Sequence, residues 1–185
     1  MNIIKKSILS FCNIHFFHKI LIKTLKSKSN ISYDSINIID FQKDDYWDWK
    51  KESTFEKTII SSLKLIKDID VVLYEKLKKE FNWIVWNNKI AINTDQFIKN
   101  DKIFFTTYED YWDDQKLMTF YYAGILIYNG IFNYLIEIHS NKSEDKLKKI
   151  HAVCNKKEKK FYKKIEKKYP KYKDILVKKF IDDFV

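Results

Sequence analysis

Apolar residues recur at spacings of three and four along most of this chain, the signature of amphipathic helices. Over residues 2–26, Ile4, Ile8, Phe11, Ile14 or His15, His18, Leu21 and Leu25 form one stripe, with Lys5, Lys19, Lys23 and Lys26 mostly off it. This predicts a basic amphipathic N-terminal helix over 1–26, docked on the core in preference to a membrane surface. Residues 27–52 break the pattern with Ser, Asn and Asp and read as irregular. Ser53-Thr54-Phe55-Glu56 spells a capping box, and Ile59, Ile60, Leu63 and Ile66 carry a helix to a break at Asp68 or Asp70. A further helix is expected through Val72, Leu73, Leu77, Phe81, Ile84 and Val85, ending at Asn87-Asn88. Ile90, Ile92, Ile103 and Phe105 then alternate, which fits one short hairpin within 89–105.

Thr106-Thr107-Tyr108-Glu109 resembles a second capping box and predicts a helix to about Tyr128. Asn129-Gly130 suits a turn with positive φ, followed by another helix from Ile131 to His139. Ser143 caps a helix holding Leu147, Ile150 and Cys154; Phe161, Ile165 and Tyr169 continue its stripe to Pro170. Tyr172, Leu176 and Phe180 mark a last helix over 171–185. The expectation is an all-α fold of about seven helices in one compact domain spanning 1–185. Its core should contain Phe120, Leu126, Phe132, Leu135, Leu147, Ile150, Phe161 and Ile165. One echo crosses the chain: Asp45-Tyr46-Trp47-Asp48 recurs 65 residues later as Asp110-Tyr111-Trp112-Asp113, with Lys51, Thr54 and Phe55 matched by Lys116, Thr119 and Phe120. Each copy puts a Trp and acids at a helix entrance, where the ring can staple the first turn and the carboxylates complement the helix dipole.

Composition supports the helical reading, because two Gly and one Pro in 185 residues leave few of the tight turns that an all-β fold needs. A hydrophobic share of 45% excludes a disordered chain. All basic residues are Lys, as an AT-rich coding bias would produce, so the distribution of charge matters more than the total of +10. Residues 1–30 carry +6, residues 31–137 carry −5 and residues 138–185 carry +9. Two cysteines, Cys12 and Cys154, imply no disulfide framework. Lys5 and Lys6 ahead of uncharged 7–17 imitate a secretory leader, but Asn13 and His15 interrupt it and no small-residue cleavage site follows, so a cytoplasmic location is expected. The 20 uncharged residues from Leu117 to Ile136 could span a bilayer by length. Asn129, Gly130 and Asn133 within them favour a core helix instead.

Catalytic signatures are sparse. Two glycines cannot build a phosphate-binding loop. Cys12, His15 and His18, or His151 and Cys154, are better explained as core and boundary residues than as metal ligands, so no metal and no cofactor are expected. Glu109, Asp110, Asp113 and Asp114 read as a solvated acidic face rather than an acid–base pair. Residues 156–168 hold eight Lys and two Glu with Phe161 and Tyr162 between them, which makes nucleic-acid binding through Lys156, Lys160, Lys163 and Lys167 physically available.

Residues 108–170 resemble the DNA-mimic-protein family of small helical bacterial proteins. The resemblance rests on Asn129-Gly130-Ile131-Phe132-Asn133-Tyr134 at the place of an Asn-Gly-Gly-Phe-x-Gln segment, followed by Ser140-Asn141, the helix from Leu147 to Cys154, and Lys167-Lys168-Tyr169-Pro170. Ile131, Tyr134 and Leu126 depart from the family pattern. The resemblance implies a helical core over 106–170, with Asn129, Gly130 and Phe132 as a structural motif, and a role in occupying a protein partner's surface. Imitation of DNA itself suits a +10 chain poorly. The expectation is therefore a non-enzymatic protein-binding module, an inhibitor, immunity or regulatory protein, with Tyr111, Trp112, Asp113, Asp114, Tyr46, Trp47 and Asp48 as partner-binding residues. A lysine-rich nucleic-acid binder is the alternative, and a membrane-associated protein the next.

Overall fold

The structure is a computed structural model that describes residues 20, 22–28, 31–41, 53–86, 96–98, 101–106, 108, 114–138 and 143–177. It is mostly helical, but it is not all-α: a five-stranded mixed sheet lies at its centre. Strands β1 (Ile31–Tyr33), β2 (Ile36–Asp40), β3 (Trp83–Trp86), β4 (Gln96–Ile98) and β5 (Ile103–Thr106) are ordered β1-β2-β3-β5-β4. β2, β3 and β5 run parallel, and antiparallel β1 and β4 form the edges. The helices are α1 (Thr54–Ile69), α2 (Val71–Leu77), α3 (Gln115–Ile138), α4 (Glu144–Lys168) and α5 (Lys173–Leu176), with 3-10 turns at Lys78–Glu80 and Pro170–Tyr172.

Two strands occupy the stretch expected to be irregular. Asp34 and Ser35 both take positive φ, 50° and 72°, as the two centre residues of a type I′ turn must. The Asp34 carboxylate accepts from Lys67 Nζ at 3.1 Å and Tyr74 Oη at 3.0 Å, which ties the hairpin tip to α1 and α2. These two hydrogen bonds hold its carboxyl below the ordinary aspartate range. The expected helix through Phe81, Ile84 and Val85 is likewise overturned, because Trp83-Ile84-Val85-Trp86 is the middle strand. A parallel strand covered on both faces is a continuous apolar run, which helical spacing cannot distinguish from a buried helix. The hairpin expected within 89–105 is present as antiparallel β4 and β5, joined to the rest of the sheet.

Both sheet faces are buried. Ile36, Ile38, Ile84 and Phe104 face the main core with Phe55, Ile59, Leu63 and Ile66 of α1 and Phe120, Ala123 and Ile127 of α3. Ile39, Trp83, Val85, Ile103 and Phe105 face the other way, covered by Leu25 and Ile22 of the helical residues 22–28 and by Phe41. This is the docked N-terminal helix as far as it is described; residues 1–19 lie outside the described residues. The Ser53 capping box forms as expected: Ser53 N–H donates to Glu56 Oε2 at 2.8 Å and Glu56 N–H donates to Ser53 Oγ at 3.3 Å. Asp70 ends α1 and caps α2, accepting from Leu73 N–H at 3.0 Å.

Further corrections concern α3. It begins at Gln115 rather than near Thr106, which is the fully buried last residue of β5. Asn129-Gly130 does not break it: the helix runs unbroken over 24 residues, and no glycine has positive φ. Gly130 answers to packing, since a β-carbon there would lie 2.6 Å from Leu77 Cδ2 and 3.1 Å from Phe81 Cε2. Gly124 does the same against α4, where a β-carbon would lie 2.6 Å from Glu158 Oε1 and closer still to Tyr162 Oη. Asn129 stays within the helix, donating its amide to Ile125 O at 3.0 Å. The uncharged stretch is therefore one helix, mostly interior as far as Gly130 and half-exposed beyond it, and no helix among the described residues is long and apolar enough to cross a membrane. Of the expected core, Phe120, Leu126, Ile150, Phe161 and Ile165 are buried, whereas Phe132, Leu135 and Leu147 are only half-buried. Phe132 instead stacks on Tyr128 and His151, with ring centroids 6.3 and 4.9 Å away. Beyond Pro170 the expected long helix is a 3-10 turn and short α5; residues 178–185 lie outside the described residues.

Two substitutions test this layout by chemical denaturation. Phe120→Ala should cost about 3–5 kcal/mol and Phe132→Ala distinctly less, because only the first leaves a fully enclosed cavity. Gly124→Ala should destabilise by about 1–3 kcal/mol through overpacking, although the same change in an open helix would stabilise by roughly 1 kcal/mol. A stabilised Gly124→Ala protein would contradict the close α3–α4 approach.

Candidate functional site

Helix α3 is flanked by α2 on one side and α4 on the other, and a groove of about 550 Å³ lies between them. α2 contributes Val72, Leu73 and Leu77, α3 contributes Ile131, Tyr134 and Leu135, and α4 contributes Val153 and Phe161. Several of these apolar side chains face solvent: Val72 is 64% exposed, Tyr134 51% and Val153 42%. Isolated exposed apolar residues are ordinary, but a cluster gathered in one concavity is a candidate binding surface.

The walls are cationic. Lys76 and Lys79 stand on the α2 side, and Lys157, Lys160 and Lys164 on the α4 side. The two carboxylates of the groove are already engaged. Asp70 takes an ion pair from Lys164 at 2.5 Å, which bridges α2 to α4. Burial works upward on the Asp70 carboxyl, but the bonds from Lys164 and the Leu73 N–H prevail and hold it low. Glu80 accepts from buried Asn133 Nδ2 at 2.9 Å. Lys76, Lys79, Lys157 and Lys160 have no ion-pair partner among the described residues. Lys156, Lys160, Lys163 and Lys167 are all exposed and follow one another at helical spacing along a single stripe of α4, beside the groove.

Most of the residues expected to bind a partner lie outside the described residues: Tyr46, Trp47, Asp48, Tyr111, Trp112 and Asp113, with Glu109 and Asp110. Asp40, Trp86 and Thr106, the last residues of parallel strands β2, β3 and β5, stand in register at the carboxyl ends of the strands, and both Asp-Tyr-Trp-Asp segments follow in sequence from those ends. The carboxyl ends of parallel strands are where open α/β sheets hold ligands. Here the described residues pack as rings, with Phe55, Trp86, Tyr108 and Tyr122 in contact at centroid separations of 5.2–5.7 Å. Asp114 is described and serves the helix start. Its carboxylate accepts from Lys116 N–H at 2.7 Å, and its carbonyl accepts from Leu117 and Met118.

No group of three or more His, Cys, Asp or Glu among the described residues could hold a metal ion; Cys12, His15 and His18 lie outside them. His151 bonds through Nδ1 to Tyr128 Oη and stacks on Phe132. Cys154 is buried, and burial followed by the neighbouring Glu158 pushes its thiol up to about 11, away from the thiolate a nucleophile needs. Burial also raises Tyr128 to about 12. Glu158, which the sequence reading passed over as one acid among many lysines, lies buried in the α3–α4 seam beside Gly124 and bonds to Tyr162. Its burial pushes it up to about 7. The groove was also missed, because Val72, Tyr134 and Val153 come from three helices whose arrangement periodicity does not specify.

No protein-family model, curated protein or solved structure matches this chain, so its own geometry carries the functional reading.

Glu158 makes stability depend on pH in a defined direction. The folded state holds its proton to about 7, whereas an unfolded glutamate releases it near 4.5. Between these values the native state binds the extra proton, so its contribution is complete below about 4.5 and is lost as pH rises through about 7. The difference corresponds to roughly 3 kcal/mol. Denaturation from pH 4.5 to 8 should show that decline, and Glu158→Gln should flatten it; an unchanged slope would remove Glu158 as its source.

Proposed function

We propose that this chain is a non-enzymatic binding module, an inhibitor, immunity or regulatory protein that acts by occupying a partner protein's surface. The observation that carries this reading is the groove itself, an exposed apolar floor from Val72, Tyr134 and Val153 between two lysine walls. Side chains held by three packed helices offer a preformed surface, so little ordering cost falls on binding. We place the module in the cytoplasm, as suits a chain with two cysteines and no disulfide framework.

A lysine-driven nucleic-acid contact is the second reading, supported by the exposed stripe of Lys156, Lys160, Lys163 and Lys167. It predicts an affinity that falls log-linearly with salt, and a shallower slope when those four are neutralised.

Photo-crosslinking separates the two readings. A photoreactive benzoylphenylalanine at Tyr134, introduced in host cells, should capture a protein, whereas the same group at exposed Ser61 of α1 should not. With the captured protein purified, Tyr134→Asp should weaken binding by about 2 kcal/mol or more, about thirtyfold. Capture of nucleic acid alone, or unchanged affinity in Tyr134→Asp, would overturn the reading.

A further inference from the structure

The groove has cations on both of its walls. Lys76 and Lys79 line one and Lys157 and Lys160 the other, with the exposed ring of Tyr134 on the α3 floor between them. An occupant must satisfy three conditions together: an apolar ridge for the floor, negative charge on its left flank, and negative charge on its right. A fatty-acid carboxylate brings one charge and reaches one wall. A nucleic-acid strand brings charge along its length but presents phosphates, not an aliphatic ridge, to Val72 and Val153. An amphipathic helix with apolar side chains at i, i+3 or i+4 and i+7 has its ridge flanked on both sides by positions that can carry Asp or Glu. Laid along the groove, such a helix would rest its ridge on α3 at ordinary helix-packing distance.

We infer that the groove receives an acidic amphipathic helix of the partner protein. This rests on the binding-module reading and adds the chemistry of the segment that is bound. The carboxylates of the incoming helix would pair with Lys76 and Lys79 on one side and Lys157 and Lys160 on the other. The Lys164–Asp70 pair stays as the strut between the walls. Charge pairing at such a rim mainly sets association rate and selects against basic helices, while the apolar ridge on Tyr134, Val72 and Val153 supplies the affinity.

The test uses the full chain and three labelled peptides of about 18 residues, long enough for roughly five helical turns. The first carries Leu at i, i+3, i+4 and i+7 with Glu on both flanks, the second has the same composition with the ridge scrambled, and the third has Lys in place of Glu. Fluorescence anisotropy should show the first binding at least tenfold tighter than the second, with no binding of the third. Lys76→Glu combined with Lys157→Glu should weaken the first at least tenfold, Tyr134→Asp should do likewise, and circular dichroism should show both variants folded. Equal binding of the ridge and scrambled peptides would overturn the inference. So would a poly-dT oligonucleotide or phosphatidylglycerol vesicles binding in preference to the peptide with the same dependence on Lys76, Lys157 and Tyr134. A partner captured at Tyr134 whose contact segment is neither acidic nor helical would sink the inference while leaving the binding-module reading standing.

Discussion

The structure depends on how closely other elements can approach α3. This helix has no charged residue from Leu117 to Ile136, and it packs against α1, α2 and α4 at once. Burial on several sides removes the choice of a polar face and sets a steric condition instead. Where a neighbour comes nearest, the helix must offer bare backbone. The only two glycines of the chain meet that condition, Gly124 beneath Tyr162 and Glu158 of α4, and Gly130 beneath Leu77 and Phe81. Each forgoes helix propensity of about 1 kcal/mol relative to Ala, and dense packing against the neighbour offsets it.

The groove follows from the same arrangement. α2 and α4 are seated on different flanks of α3, and the Asp70–Lys164 pair bridges them at one end. The gap leaves apolar side chains of three helices partly in water, between lysines that project from the two walls. The proposed binding role is a consequence of helix placement: residues unremarkable one at a time become a surface with a shape and a sign. Glu158 marks the opposite case, a carboxyl that the same packing takes out of water and whose hold on its proton burial raises to about 7.

Much of this was legible in the residues, and the failures have physical causes. Local chemistry read true where nothing remote competed with it. The Ser53–Glu56 box is formed as the sequence spells it, the break expected at Asp68 or Asp70 falls at Asp70, and Phe120, Leu126, Ile150, Phe161 and Ile165 are buried as their spacing requires. Local signals failed where tertiary contact overrode them. Asn129-Gly130 has the letters of a turn, yet packing against Leu77 and Phe81 explains the glycine and the helix continues. Thr106 imitates a helix cap from inside a strand. The sheet was missed because Trp83–Trp86 is too short for its period to be read, and because the β1–β2 turn uses Asp34-Ser35 instead of a glycine. The groove was beyond reach for a different reason: it depends on which flanks of α2, α3 and α4 stay unpaired once the chain is folded.

All of this requires α3 to be one unbroken helix. Native-state hydrogen exchange tests that directly, residue by residue. Amides from Ala123 through Phe132 should exchange only by global unfolding, with opening free energies equal to that obtained from denaturant, and with no step at Asn129 or Gly130. Amides beyond Gly130 that open at markedly lower free energy than those before it would show two helices hinged at that point, and would contradict both the unbroken helix and the groove built on it.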